Sequence, residues 1–142
     1  SILDLPATLE RLETLGVSVL GYRTEEFPGF FTSRTGLAVP AVAESAAQIA
    51  AAYRASRSLG RPSALLVVQP PPASTALDPA VVESAVAHAL ESARAAGVRG
   101  AAVTPFLLAA VERETGGRSL ATNLALLESN AALAAEIAVA LH

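Results

Sequence analysis

The chain contains no cysteine, no methionine and no tryptophan, and all ten basic residues among its 142 are arginine. The missing cysteine excludes disulfides, thiolate zinc sites and a cysteine nucleophile, and it fits a reducing cytoplasm. The missing lysine excludes a lysine Schiff base completed within these residues. Charge is sparse: 13 acids against ten Arg give a net charge of −3, with no basic stripe of the kind nucleic acid requires. Long hydrophobic runs are also missing. Mean hydropathy is +0.46 and 52% of residues are apolar, but Ala supplies much of this and no apolar run approaches the roughly 18 residues of a membrane span. No signal-peptide pattern is present. A cytoplasmic location is therefore expected, with neither nucleic acid nor membrane as partner.

What is there reads as one α/β domain. Its length suits a single domain, and no linker, repeat or low-complexity tract divides it. The sequence opens Ser1-Ile2-Leu3-Asp4 without Met, directly in patterned sequence, as a piece of a longer protein would. Pro6 followed by Leu9, Leu12 and Leu15, closed by Gly16, predicts a short amphipathic helix, and Val17 to Tyr22 a strand. Glu44 to Leu59 predicts a helix that Gly60 ends. Ala64 to Gln69 is apolar without alternation, as in a strand covered on both faces. Asp78 and Pro79 supply an N-cap and first-turn proline for a helix reaching about Ala96. Val98 to Val103 is a weaker strand candidate, Thr104-Pro105 caps a helix ending at Gly116-Gly117, and Ser119 to Leu141 forms the longest helix. Strands alternating with helices place ligands at the carboxyl ends of the strands.

Gly21 to Pro40, "GYRTEEFPGFFTSRTGLAVP", holds three of the four Phe and has no regular period. A structureless loop of this length is unusual in a compact domain, so Phe27, Phe30 and Phe31 are expected to pack. Glu25-Glu26 offers a candidate acid pair or a solvated turn, and Arg34 among Thr32, Ser33 and Thr35 a candidate anion cluster or a polar loop tip. His88 reads as a surface or half-buried side chain, His142 is terminal, and no spacing of His and carboxylates suggests a metal site. Gly116-Gly117-Arg118-Ser119 reads as a C-cap followed by an N-cap. On the last helix, Ser119, Asn123 and Asn130 share a face with Leu126, Leu127, Ile137 and Leu141, while Thr122, Glu128, Ser129 and Glu136 take the other. Buried amides need partners, in the protein, a neighbouring subunit or a ligand.

The stretches "SILDLPATLERLETLGVSVLGY", "AAVTPFLLAAVERETGGRSL" and "ATNLALLESNAALAAEIAVAL", with the Gly21 to Pro40 segment and its "EFPGFF", resemble the carboxyl-terminal half of the pseudouridine-5′-phosphate glycosidases, also called the indigoidine synthase A-like family. The resemblance covers practically the whole chain. It implies a three-layer α/β/α fold of which residues 1–142 are the carboxyl-terminal half, and a homotrimeric enzyme reversibly cleaving the C–C glycosidic bond of pseudouridine 5′-phosphate to uracil and ribose 5-phosphate. The family uses a Lys Schiff base with the opened sugar, an acidic proton donor and manganese. In its pattern that Lys immediately precedes the position of Ser1, and the proton donor and metal-holding Asp lie further upstream. The resemblance thus assigns no catalytic residue and no metal ligand here, makes the amino-terminal half of the enzyme the chain's partner, and implies that the chain alone is inactive. Asn123, in "TNLAL", is carried over as a substrate contact. Gly21 to Pro40 is expected to wall the site or a trimer contact. The alternatives are a non-catalytic oligomerisation or regulatory module, and a sugar-phosphate or nucleotide-binding domain of other chemistry.

Overall fold

In a computed structural model, which describes residues 3–142, a three-stranded parallel sheet is built around β1 (Ser18–Tyr22), with β2 (Ala41–Ala43) on one side and β3 (Leu65–Val68) on the other. Leu20 pairs with Ala41 across one ladder and with Val67 across the other. The helices are α1 (Leu5–Thr14), α2 (Ala46–Ser58), α3 (Pro79–Ala95), α4 (Val103–Glu114) and α5 (Arg118–Leu141).

Side chains alternate across the strands and so build two different cores. Val19, Leu66 and Val68 pack with Leu5, Leu9 and Leu12 of α1 and with Phe27. Leu20, Leu65 and Val67 pack on the other face with Ile49 of α2 and Leu133 and Ile137 of α5. The sheet therefore lies between helical layers, and β3 is covered on both faces. A third core joins α3 to α4 through Val82, Val86, Leu107 and Val111, and receives Phe31 from the segment between β1 and β2.

The helix starts follow local chemistry. Asp4, Ser45 and Asp78 are N-caps whose side chains accept from the backbone N–H groups of Ala7, Gln48 and Ala80, which satisfies donors the helix leaves unpaired. Arg54 of α2 reaches the carboxyl end of α5 and donates to the carbonyl of Ala140 at 2.9 Å, where a cation also complements the helix dipole. Gly116 and Gly117 are both left-handed, and Gly117 is the N-cap of α5.

Three sequence expectations are corrected. Val98 to Val103 is not a strand: Arg99 is followed by a 3-10 turn at Gly100–Ala102 that feeds into α4, so Thr104 and Pro105 lie inside the first turn of α4. β2 was not foreseen, because three residues carry too little pattern and are held as a strand by β1. Thr122 lies on the buried side of α5 with Ser119, Leu126 and Leu133, whereas Leu127 is exposed. The Thr122 hydroxyl is fully buried against the carbonyls of Thr75 and Arg118, which is how a polar side chain is tolerated there.

By length and apolarity α5 could cross a membrane, its most apolar 18 residues having a mean hydropathy of 1.6. Glu128, Asn130 and Glu136 interrupt it, and it packs against α2 and the sheet.

Candidate functional site

The segment from Gly21 to Pro40 is a folded strap. Its two limbs meet in an antiparallel bridge at Glu26 and Ala38, with the Phe27 N–H donating to Leu37 at 2.7 Å and the Val39 N–H donating to Glu25 at 2.9 Å. Glu26 ties the turn between them: its carboxylate accepts from the N–H groups of Thr35 and Gly36, each at 2.9 Å, and from the Arg34 guanidinium at 3.2 Å. Those two backbone donors, Gly36 before Thr35, and then Arg34 hold its carboxyl below the usual carboxylate range. Glu26 is therefore a structural tie. Arg34, whose guanidinium it engages, is not a free anion fork.

The strap joins two cores. Phe27 is buried against α1 and the sheet, Phe31 is buried in the α3–α4 core, and the Phe31 carbonyl accepts from the N–H of Leu77 at 2.8 Å. Phe30 departs from the expectation that all three pack: it is 45% exposed and touches Phe31 edge-to-face, with ring centroids 4.8 Å apart.

Phe30 and Phe27 overhang a cleft of about 360 Å³ at the carboxyl end of β3, where open α/β sheets place ligands. Val67, Val68 and Gln69 form its floor, Leu126 and Asn130 of α5 one wall, and Thr104 and Leu108 of α4 another. Leu3 and Leu5 close the side toward the start of α1. Gln69 Nε2 donates to Asn130 Oδ1 at 2.9 Å, linking the end of β3 to α5. An adjoining cleft of about 310 Å³ shares Leu3, Leu5, Gly29 and Phe30 and carries Asp4, Thr32, Arg34 and Glu83. A larger groove of about 710 Å³ lies at the other end of the strands, between α1 and α2.

Asn123 is half-buried and has no hydrogen-bond partner among the described residues. It lies on the cleft side of α5, about 20° around the helix from Asn130, but beyond the walls of the cleft itself. His88 is exposed and meets Glu114 at 3.1 Å across α3 and α4, away from the cleft. Among the described residues no three His, Asp or Glu side chains gather as a metal cage. Sequence reasoning missed Gln69, although its place at the end of a strand, before Pro70, was the available signal.

A parallel sheet flanked by helices, with an apolar cleft at the carboxyl end of β3, defines an α/β domain with its cleft where open α/β sheets place ligands. Residues 1–140 match the family described as Indigoidine synthase A like protein. The chain belongs to that family. The pseudouridine-5′-phosphate glycosidase of Gemmatimonas aurantiaca is 60% identical over 141 residues, covering 99% of this chain and 46% of that protein. The glycosidase of Herpetosiphon aurantiacus is 55% identical with the same coverage. Among solved structures, the prealnumycin C-glycosynthase in complex with ribulose 5-phosphate superposes with a TM-score of 0.91 at 36% identity, over 99% of this chain and 46% of that one. An indigoidine synthase A-like protein from Thermotoga maritima gives 0.85 at 39% identity, over 98% and 46%. The chain thus spans about half the length of the relatives it matches.

Proposed function

We propose that these residues are the carboxyl-terminal half of the catalytic domain of a pseudouridine-5′-phosphate glycosidase, which reversibly cleaves the C–C glycosidic bond to give uracil and ribose 5-phosphate. The observation that carries the reading is 60% identity, over nearly the whole chain, to a protein bearing that name. A carbon leaving group is harder to expel than nitrogen. An imine between a lysine and the opened sugar supplies the electron sink for it, and an acid delivers the proton to carbon.

On this reading the lysine immediately precedes Ser1. Leu3, three residues further on, lines the cleft, which supports a place for the amine near its walls. The proton donor belongs to the preceding part of the protein, as does any manganese. This chain's own share is to exclude water with Phe27, Phe30, Leu108 and Leu126, and to contact the part of the substrate that extends past the cleft walls through Asn123, whose amide has no partner among the described residues.

The test is release of uracil and ribose 5-phosphate from pseudouridine 5′-phosphate by the complete protein. Asn123→Ala should cost about 1–3 kcal/mol in kcat/KM with little change in Tm. A large fall in Tm with unchanged turnover would make Asn123 a structural amide. The reading also includes a homotrimer, to be checked by light scattering.

A further inference from the structure

Among the described residues no charged side chain lines the cleft at the carboxyl end of β3, and the polar side chains that do are Gln69, Asn130 and Thr104. A phosphate or carboxylate would call for an arginine fork or a cluster of backbone donors. An apolar cleft with a few convergent neutral polar groups instead suits a flat, uncharged ring.

Gln69 and Asn130 specify the edge of that ring. A primary amide offers two N–H donors and one carbonyl acceptor. With Gln69 Nε2 donating to Asn130 Oδ1 at 2.9 Å, the pair still presents the Asn130 N–H donors and the Gln69 carbonyl. Neither group has another partner among the described residues. Exchanging oxygen and nitrogen in both amides leaves the same complement, one donor beside one acceptor. The pair is solvent-accessible, so it adds little to folding stability, yet it gains strength once a ligand excludes water.

We propose that the Gln69–Asn130 pair is the base-reading edge of this cleft, donating to a ring carbonyl and accepting from the adjacent ring N–H of a pyrimidine imide. The flat faces of the ring lie between Phe30 and the leucines of α4 and α5. This rests on the glycosidase reading for the identity of the ligand, and it assigns the phosphate of the substrate to residues outside the cleft.

The experiment measures binding of uracil, N3-methyluracil and ribose 5-phosphate to the complete protein by calorimetry. Uracil should bind, and methylation at N3, which removes the N–H, should weaken it at least tenfold. The near-isosteric Asn130→Asp and Gln69→Glu should each weaken uracil about tenfold or more and leave ribose 5-phosphate unchanged. Equal affinity for uracil and N3-methyluracil would overturn the inference without any mutant. So would an unaltered uracil affinity in both variants, or no binding of uracil by the unaltered protein. Uracil binding with the expected dependence, in a protein that does not release uracil from pseudouridine 5′-phosphate, would uphold the base site and remove the reaction. Turnover of that substrate with variants that alter only ribose 5-phosphate binding would do the reverse.

Discussion

Glu26 stabilises the strap through its ionised form, because the N–H groups of Gly36 and Thr35 and the guanidinium of Arg34 all favour the charged carboxylate. A carboxyl whose pKa is depressed by folding contributes stability above its unfolded value, and that contribution is lost as pH falls through the depressed folded value. Glu26→Gln should therefore increase proteolysis between Gly29 and Gly36 and lower Tm at neutral pH. The gap from the unaltered protein should close on acidification below the ordinary carboxylate range. A gap of constant size at every pH would show that shape rather than charge matters at this position. Gly21 poses a steric question: a Cβ there would run into the carbonyl oxygen of Thr24 and press on Val39. Gly21→Ala should cost about 1–3 kcal/mol in denaturant unfolding, as overpacking does. No loss would mean that the turn after β1 yields more easily than its packing indicates.

At the scale of elements, Phe31 and Thr122 hold the α3–α4 pair and the proline-rich loop to the rest of the molecule. Phe31 is 4% exposed, and Phe31→Ala should cost about 3–5 kcal/mol. Thr122→Val keeps the shape but removes the hydroxyl that meets the Thr75 carbonyl, at a cost of about 1–3 kcal/mol. Both are read from urea unfolding, and a neutral Thr122→Val would mean that water replaces the lost bond. The sequence already carried what local chemistry decides: Asp78 with Pro79 opens α3 as expected, and the unbroken apolar run of β3 is covered on both faces. Non-local decisions were hidden. Ala41–Ala43 becomes a strand only because β1 offers it a ladder. Val98 to Val103 has strand-like composition, yet left-handed Gly100 and a 3-10 turn lead it into α4. Helical spacing puts Thr122 opposite the apolar face of α5, whereas the partner that draws it inward lies 47 residues away in sequence. The Gln69–Asn130 contact spans 61 residues, which no periodicity reveals. Asn123, found by resemblance, lies on the same side of α5 as that pair but outside the cleft walls.

At the scale of the whole molecule, α5 leaves Leu120, Leu124 and Leu127 exposed along one side, while the chain spans 46% of its Gemmatimonas relative. The proposed chemistry divides along the same line. A Schiff base needs a primary amine, and with no lysine among 142 residues the chain's side chains supply none. Ribose 5-phosphate and borohydride should therefore leave the 142-residue chain without a specific adduct. They should label the complete protein at one lysine, and mass spectrometry of its peptides should place that lysine immediately before the residue numbered Ser1 here. Pseudouridine 5′-phosphate should compete with the labelling, because both ligands reach the same amine. A verified 142-residue preparation that turns over pseudouridine 5′-phosphate would overturn the lysine mechanism. Labelling of the complete protein at a distant lysine would keep the chemistry but remove the cleft beside Leu3 as its place.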